Sequence, residues 1–483
     1  KLWQRVLLLQ FHDILPGSSI AQVYEDAAED YRKIKAKGMA LLEHELEQTD
    51  KTQAGEEKLL RVVNASGMTR SDYLELPFSE NITEHTMLQY QEEQIPAQKT
   101  KNGLLFRLKD IPPYGTKTYR IVQAKPAAET KSLFNVTADQ IDTPFYKIIL
   151  NQAGEIEYLK DKTEGRILTC GKPLNHFVAY EDKPLRFDAW DIDKFYLEKP
   201  YPPFELQQSE PIETGPERLV WRQTWQFNRS KLTQDMILYA GTPRIDFVTK
   251  VDWHEHQVLL KVYFPFDIHC SEATFDIQFG TIKRPNHRNT HQDMARFEVC
   301  GHRFADLSEG DYGAAVLSDS KYGWDVYGGC LGLSLIKSAI APDKNADQGL
   351  HEFTYSLYPH PGTFEESDTF TEALNINMPF LYSFVDGQAE ETAAYDKSFV
   401  KTDCPHVYID TVKQAEDGTG FVVRLYEFKN RKNTAVKLQF AAEVRRAWLC
   451  DLMENKTEEI NLSKNEIVFP ISPFEIVTVK VLF

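Results

Sequence analysis

The pattern of apolar and polar residues predicts helices in about the first fifty residues. An apolar run opens the chain and stops at a Pro16-Gly17 break, where regular helical backbone is interrupted. After the break, apolar or aromatic residues recur every three or four positions, which is typical of one face of a helix of about seven turns. These positions are Ile20, Tyr24, Ala27, Tyr31, Ile34 and Leu41. The two segments therefore predict a helical hairpin within a larger bundle.

From about residue 57 the pattern changes to the alternation that is typical of β-strands. Short runs such as 59–63, 104–108 and 118–122 are separated by Gly, Pro, Asn and Asp turns, as in antiparallel sandwiches. The all-β stretch of about 131–395 is too long for a simple sandwich, so we expect a large, many-stranded supersandwich. Residues 124–130 have the composition of a linker.

These patterns predict a mainly β fold class with an N-terminal helical segment. Further strands are predicted at Arg218 to Phe227, Gly420 to Tyr426 and Ile476 to Leu482. The chain then divides into helical residues and three antiparallel β-sandwich domains, of which the second is the supersandwich. The predicted bounds are 1–55 for the helices, 56–127 for the small sandwich, 128–400 for the supersandwich and 401–483 for the C-terminal sandwich.

The net charge of the chain limits the classes of partner that it can bind. Its 483 residues contain 72 acidic and 55 basic side chains, giving a formal net charge of −17. This balance argues against nucleic acid and against an anionic membrane surface, because both select for basic faces. No apolar run approaches the roughly 18 residues that a membrane helix needs. Neutral polar ligands such as sugars remain compatible with the composition.

The cysteines and the first residues bear on location and completeness. Six scattered cysteines without a CxxC motif are typical of reduced, mostly buried thiols, so we expect a cytoplasmic protein. The chain begins with Lys1 rather than Met and continues directly into apolar residues, including Trp3, Val6 and Leu7. We therefore expect residues to precede Lys1 and to cover this apolar surface.

His12 and Asp13 form the first candidate for chemistry. They lie where the first predicted helix ends, beside the Pro16-Gly17 turn, and could face a cleft. A neutral imidazole is a good zinc ligand, and the adjacent carboxylate can accept hydrogen bonds from a ligand. The alternative is an ordinary helix terminus, with the imidazole at the negative end of the dipole and the carboxylate capping the next turn.

Three other polar segments have a functional and a structural interpretation. His287 and His291 have the spacing of metal ligands only if the segment that carries them is helical, and Pro285 favours a loop instead. Asp188 to Asp193 combines three carboxylates with a tryptophan, which can bind sugar or form a structural loop. The stretch from Asn286 to Gly328 is rich in charged and aromatic residues, which indicates either a functional loop or mutual ion pairing.

The segment Gln10-Phe11-His12-Asp13-Ile14-Leu15-Pro16-Gly17-Ser18-Ser19 resembles a signature of glycoside hydrolase family 38, the class II α-mannosidases. Further segments, spread over essentially the whole chain, resemble the bacterial and vacuolar branch of that family. They are Arg70-Ser71-Asp72, Asp188 to Asp193, Arg284 to Thr290, Asp293 to Val299, Ala305 to Gly313, Asp319 to Gly323 and His351 to Tyr355.

The resemblance implies the C-terminal part of a zinc-dependent, retaining α-mannosidase that removes terminal α-linked mannose from oligosaccharides. The family has an N-terminal catalytic domain, a three-helix bundle and β-sandwich domains, so residues 1–55 would be the end of the bundle. His12 then matches one ligand of a single Zn²⁺ ion, and Asp13 matches a residue that binds mannose hydroxyls. Arg296 is a further candidate for substrate binding.

The same resemblance leaves most of the catalytic machinery outside this chain. The nucleophile, the acid/base and three zinc ligands have no counterpart here, so we expect the chain to be inactive alone and to require the N-terminal catalytic domain as its partner. The sequence does not determine whether the protein forms a homo-oligomer. The alternative function is a non-catalytic carbohydrate-binding or scaffolding β-sandwich protein.

Overall fold

The computed structural model describes residues 1–50, 57–123, 132–387 and 396–483. The predicted fold class is confirmed: the described residues are mainly β, with antiparallel sheets and few helices. The predicted linker at 124–130 lies outside the described residues. Among the described residues, no helix has the length and apolar character to cross a membrane.

Two helices open the chain, as the apolar spacing predicts. Helix α1 spans Leu2–Leu9 and helix α2 spans Ala21–Asp50. Arg5 Nη1 lies 2.5 Å from Asp30 Oδ1, so an ion pair joins the two helices. The turn between them uses Gly17 at φ +80°, a left-handed conformation that glycine adopts without steric cost.

The described chain forms two compact units. One comprises 1–49, 131–274 and 283–369, and the other comprises 50–130, 275–282 and 370–483. Each unit combines segments that are distant in sequence. The predicted division into four sequential domains stays a prediction.

The second unit contains a small β-sandwich. Its strands are β1 Glu57–Asn64, β2 Arg70–Pro77, β3 Thr86–Tyr90, β4 Glu93–Ile95, β5 Ala97–Lys99, β6 Gly103–Ile111 and β7 Gly115–Gln123. One sheet has the order β2-β6-β5, and the other contains β1-β7-β3-β4. Alternate residues such as Leu60, Leu76 and Phe106 are fully buried between them.

The first unit is built around the long β stretch. Its elements between 135 and 265 are β8 Asn135–Val136, β9 Gln140–Asp142, β10 Tyr146–Leu150, β11 Ile156–Asp161, β12 His176–Glu181, a 3-10 helix η1 Lys194–Glu198, β13 Glu205–Thr214, β14 Arg218–Phe227, β15 Ser230–Tyr239, β16 Ile245–Trp253 and β17 Val258–Pro265. Strands β13, β14, β15 and β16 pair antiparallel in this order in an extended meander.

The elements that follow complete this stretch. They are β18 Glu272–Ile277, β19 Gly280–Pro285, α3 His291–Ala295, β20 Val299–Cys300, β21 Phe304–Ser308, β22 Tyr312–Ser318, β23 Gly323–Tyr327, β24 Cys330–Lys337, β25 Gly349–Pro361, α4 Thr369–Asn377 and β26 Leu381–Gly387. Within the first unit, one sheet runs β13-β14-β15-β16-β25-β22-β21 and another runs β12-β17-β24-β23-β20. Trp221, Trp253 and Trp324 are fully buried in this unit.

A C-terminal sandwich also belongs to the second unit. Its strands are β27 Val400–Thr402, β28 Val407–Gln414, β29 Phe421–Glu427, β30 Asn433–Phe440, β31 Arg446–Cys450, β32 Lys456–Glu459, β33 Leu462–Ser463, β34 Glu466–Ile471 and β35 Ile476–Leu482. They form sheets of order β27-β30-β34-β33 and β28-β29-β35-β31-β32. Apolar residues of both sheets, including Val423, Leu438 and Val479, form its core.

The cysteines are unpaired but less buried than predicted. All six are free thiols, and only Cys404 is buried. Cys170 and Cys300 are exposed, and the other three are partly exposed. The prediction of mostly buried thiols is therefore wrong, because these residues lie at strand ends and in turns rather than in the sandwich cores.

Candidate functional site

His12 and Asp13 lie in the turn that connects the first two helices. The backbone oxygen of Asp13 accepts hydrogen bonds from Ser19 Oγ at 2.7 Å and Tyr24 Oη at 3.1 Å, and Ser18 Oγ lies 3.5 Å from it. These hydroxyls fix the peptide and leave the two functional side chains exposed, at 70% for His12 and 42% for Asp13. The turn therefore presents an imidazole and a carboxylate side by side.

The two side chains are not hydrogen-bonded to each other. His12 Nε2 lies 3.9 Å from Asp13 Oδ2, which is too long for a hydrogen bond. Both groups can therefore accept a shared ligand without first breaking a bond between them. This geometry favours the ligand-binding interpretation over the helix-cap interpretation, in which the Asp13 carboxylate would bind backbone N–H groups.

Aromatic rings flank the imidazole. The ring centroid of His12 lies 4.4 Å from that of Phe11 and 6.4 Å from that of Trp190, which meets it edge to face at 73°. Trp190 belongs to the carboxylate-rich segment Asp188 to Asp193, so two separately predicted candidates lie together. Sequence reasoning did not predict this contact, because no local spacing relates residues so far apart.

Arg296 occupies a different position. It is exposed and follows helix α3, which Thr290 caps through a reciprocal capping box with Asp293. Its neighbour Phe297 packs against the same tyrosine cluster as Ile192. No contact of Arg296 with His12 or Asp13 is found among the described residues, and its predicted role in substrate binding stays a prediction.

The described residues can supply only some of the ligands that a metal ion needs. Within the described ranges, no group of three or more His, Cys, Asp or Glu side chains could hold a metal ion. His287 lies in a loop and His291 begins α3, so this pair does not share one helical face. The exposed imidazole of His12 fits one ligand of a zinc ion, whose remaining ligands would have to come from elsewhere.

Several acidic residues of the Asn286 to Gly328 stretch are held in ion pairs. Lys261, fully buried on β17, contacts Glu298 and lies 2.6 Å from Asp325 Oδ1. Arg166 likewise pairs with Glu309. Burial and the nearby Asp325 raise the pKa of Glu298, although Lys261 lowers it. The ion-pairing interpretation of this stretch therefore holds for these residues.

His360 and Asp306 form a second buried pair in the same unit, with both side chains 1% exposed. His360 Nε2 lies 2.8 Å from Asp306 Oδ2, and Nδ1 lies 3.2 Å from the Pro361 carbonyl oxygen. Because both partners are acceptors, each ring nitrogen must carry a proton. Burial alone would lower the pKa of His360, but the charge and hydrogen bond of Asp306 outweigh it, so the pKa is raised.

This pair predicts a stability that falls with alkaline pH. Because the folded-state pKa of His360 is raised, its contribution is full below the unfolded value of about 6.5 and is lost as pH rises through the folded value. As the pH rises from about 6.5 through the folded-state pKa, we expect the unfolding free energy of a His360→Gln protein to fall less than that of wild type. Urea unfolding at a series of pH values measures this difference. A His254→Gln control, whose ring is exposed, should follow wild type. Parallel curves for all three proteins would contradict the prediction.

The fold and the exposed turn define a class: a multidomain β-sandwich protein headed by a helical segment. Family models match three parts of the chain. Residues 1–48 match "Alpha mannosidase middle domain", 141–345 match "Glycosyl hydrolases family 38 C-terminal domain", and 406–479 match "Glycosyl hydrolases family 38 C-terminal beta sandwich domain". The chain thus carries the C-terminal domains of glycosyl hydrolases family 38 and belongs to that family.

Curated relatives agree with this family. Alpha-mannosidase G of Dictyostelium discoideum is 34% identical over 99% of this chain and 47% of its own length. Alpha-mannosidase 2C1 of Mus musculus is 34% identical over 98% of this chain and 44% of its own. The chain therefore spans about half the length of the curated relatives it matches.

A solved structure supports the fold independently. The crystal structure of an alpha-mannosidase from Enterococcus faecalis V583 superimposes with a TM-score of 0.78 at 15% identity, covering all of this chain and 63% of the other. At this identity the likeness establishes the shared fold. The helical start and the successive β domains are therefore one architecture found in a second protein.

Proposed function

We propose that this chain is part of a zinc-dependent, retaining α-mannosidase that hydrolyses terminal α-linked mannose. The observation that carries the proposal is the exposed His12-Asp13 pair, held in a fixed turn in a chain whose relatives are α-mannosidases. An imidazole and a carboxylate that do not bind each other suit a site shared by a metal ion and a polyhydroxylated ligand.

In this proposal the two side chains have separate roles. His12 supplies one nitrogen ligand to the zinc ion, and Asp13 accepts hydrogen bonds from mannose hydroxyls. The zinc ion, when bound, orients sugar hydroxyls and stabilises charge. Neither the nucleophile nor the acid/base is assigned to a residue of this chain. The β domains brace the site, and the hydroxyls of Ser19 and Tyr24 hold the turn by its backbone.

The complete gene product that carries this chain provides the test. Incubation with an aryl α-mannoside, with product anomers resolved by NMR, should show hydrolysis with retained configuration, and metal analysis should find one zinc ion per chain. Binding of mannosides without hydrolysis would contradict the enzyme assignment and favour the carbohydrate-binding alternative. A zinc-free protein with full activity would contradict the metal assignment alone.

Asp13→Asn separates sugar binding from a structural role. The amide keeps the size of the carboxylate but weakens its acceptance of hydroxyl hydrogen bonds, so we expect kcat/KM for an α-mannoside to fall about tenfold or more while zinc content stays unchanged. If Asp13 were only a helix cap, kinetics would stay near wild type and stability would fall by at most about 1 kcal/mol. Steady-state kinetics, metal analysis and thermal unfolding of the same preparation distinguish these results.

A further inference from the structure

Trp190 is unusual among the tryptophans of the β region. Trp221, Trp253 and Trp324 are fully buried, whereas Trp190 is 60% exposed. Exposing an indole forfeits a large apolar contribution to folding, so a fixed and exposed tryptophan is informative where a buried one is not. Its position next to His12 gives the exposure a specific setting.

The loop that carries Trp190 is anchored. Ile340 N donates to Asp188 Oδ2 at 2.7 Å, and Ala189 N donates to the backbone oxygen of Ala341 at 3.2 Å. Trp190 N donates to the Phe187 carbonyl at 2.8 Å, which closes a turn. The indole is therefore held by its backbone rather than by packing of its ring.

Phe187, where this turn starts, adopts a φ of +57°. A bulky residue in the left-handed region is strained and persists only where its surroundings fix the backbone. The hydrogen bonds of Asp188 and Ala189 supply that constraint. The loop thus keeps a costly conformation that points towards a function for the side chain it presents.

We propose that Trp190 is a carbohydrate-contacting residue, whose indole forms an apolar wall for the α-mannoside bound at His12 and Asp13. The inference rests on the proposed function and names one more residue of the same site. Carbohydrates present C–H faces that pack on aromatic rings, while their hydroxyls require acceptors such as the Asp13 carboxylate. No partner of the indole N–H is found among the described residues, so this donor can also reach a sugar hydroxyl.

The test compares Trp190→Ala and Trp190→Phe in the complete gene product, using α-linked mannobiose as substrate. A disaccharide avoids the artificial stacking that an aryl leaving group would add. We expect Trp190→Ala to lower kcat/KM about tenfold, mostly through KM, and Trp190→Phe to restore most of it because the phenyl ring keeps a stacking face. Zinc content and thermal unfolding should match wild type, since the replaced ring is largely exposed.

Phe187→Ala is the matched control. Phe187 is 74% exposed on the same loop, and no ring contact joins it to His12 among the described residues. We expect its kinetics to follow wild type. The proposal is overturned if Trp190→Ala changes kcat/KM less than twofold, or if Phe187→Ala produces an equal loss.

Failure of the proposed function would be recognised separately. It would appear in the wild-type protein, as binding of mannobiose without hydrolysis. Dissociation constants of the same variants, measured by calorimetry, would then decide the role of Trp190. Equal affinity of wild type and Trp190→Ala for mannobiose would contradict the proposed contact of Trp190 with the sugar. A tenfold weaker affinity for Trp190→Ala, with rescue by Trp190→Phe, would support it.

Discussion

His12→Ala in the complete gene product is expected to lower zinc content well below one ion per chain and to reduce α-mannoside turnover roughly 100-fold or more. A four-coordinate zinc ion that loses one of its ligands is held more weakly and in altered geometry. The fold should not suffer, because the imidazole is 70% exposed and its turn is fixed by hydroxyls that bind the Asp13 backbone. Metal analysis, steady-state kinetics and thermal unfolding together test the three parts of this expectation.

The control for His12 is a histidine of the same helical segment. His44 is exposed on helix α2, so His44→Ala should keep both zinc and turnover at wild-type values. Normal zinc stoichiometry and normal turnover in His12→Ala would contradict the ligand assignment. The 483-residue chain by itself should hold no stoichiometric zinc, because His12 supplies a single ligand and three or four are needed.

Local patterns of apolar and β-branched residues predicted several strands well, including strands that are buried on both faces. The strand predicted at Arg218 to Phe227 is β14, and the strand predicted at Ile476 to Leu482 is β35. The turn after β10 is also formed by neighbouring residues: the side-chain oxygen of Asn151 accepts from Ala153 N and Glu155 N, and Gly154 has a φ of +82°. In these places the residues that form the element are neighbours in sequence, so the local sequence is sufficient to predict the element.

Only some of the residues that form the candidate site could be predicted from the sequence. His12 and Asp13 are adjacent in sequence and were recognised through a motif. The edge-to-face contact of His12 with Trp190 arises from the docking of a helix connection beside a β loop, and no period in the sequence specifies it. The role of Arg296 stays a prediction, because a charged residue in a polar segment gives no information about which surface the folded chain places beside it.

The partners of the buried ion pairs could not be identified from the sequence. The composition of the stretch between Asn286 and Gly328 indicated either a functional loop or mutual ion pairing, but Lys261, which pairs with two of its acidic residues, lies in a strand well before them. Only the antiparallel pairing of β17 with β24, and of β24 with β23, brings Lys261 next to Asp325. The sequence alone therefore did not identify Lys261 as a residue whose replacement has a large expected effect on stability.

Lys261→Met is expected to destabilise the first unit by about 3–5 kcal/mol. The lysine is fully buried between Glu298 and Asp325, and its Nζ also lies 3.3 Å from Tyr196 Oη. Methionine fills a similar volume but leaves two carboxylates buried without a cation, and desolvated charge is far more costly than a lost surface pair. Urea unfolding measures the difference, with Lys250→Met as the matched control.

The control and the pH response make this prediction specific. Lys250 pairs with Glu352 at 2.7 Å, a distance like that of Lys261 to Asp325, but both partners are 56% exposed, so its loss should cost at most about 1 kcal/mol. Burial already raises the pKa of Glu298, and removing Lys261 withdraws the charge that lowers it. The variant should therefore recover part of its lost stability as the pH falls and Glu298 takes up a proton. Equal losses for Lys261→Met and Lys250→Met, or a Lys261→Met defect that does not change with pH, would mean that the buried carboxylates are not the source of the instability.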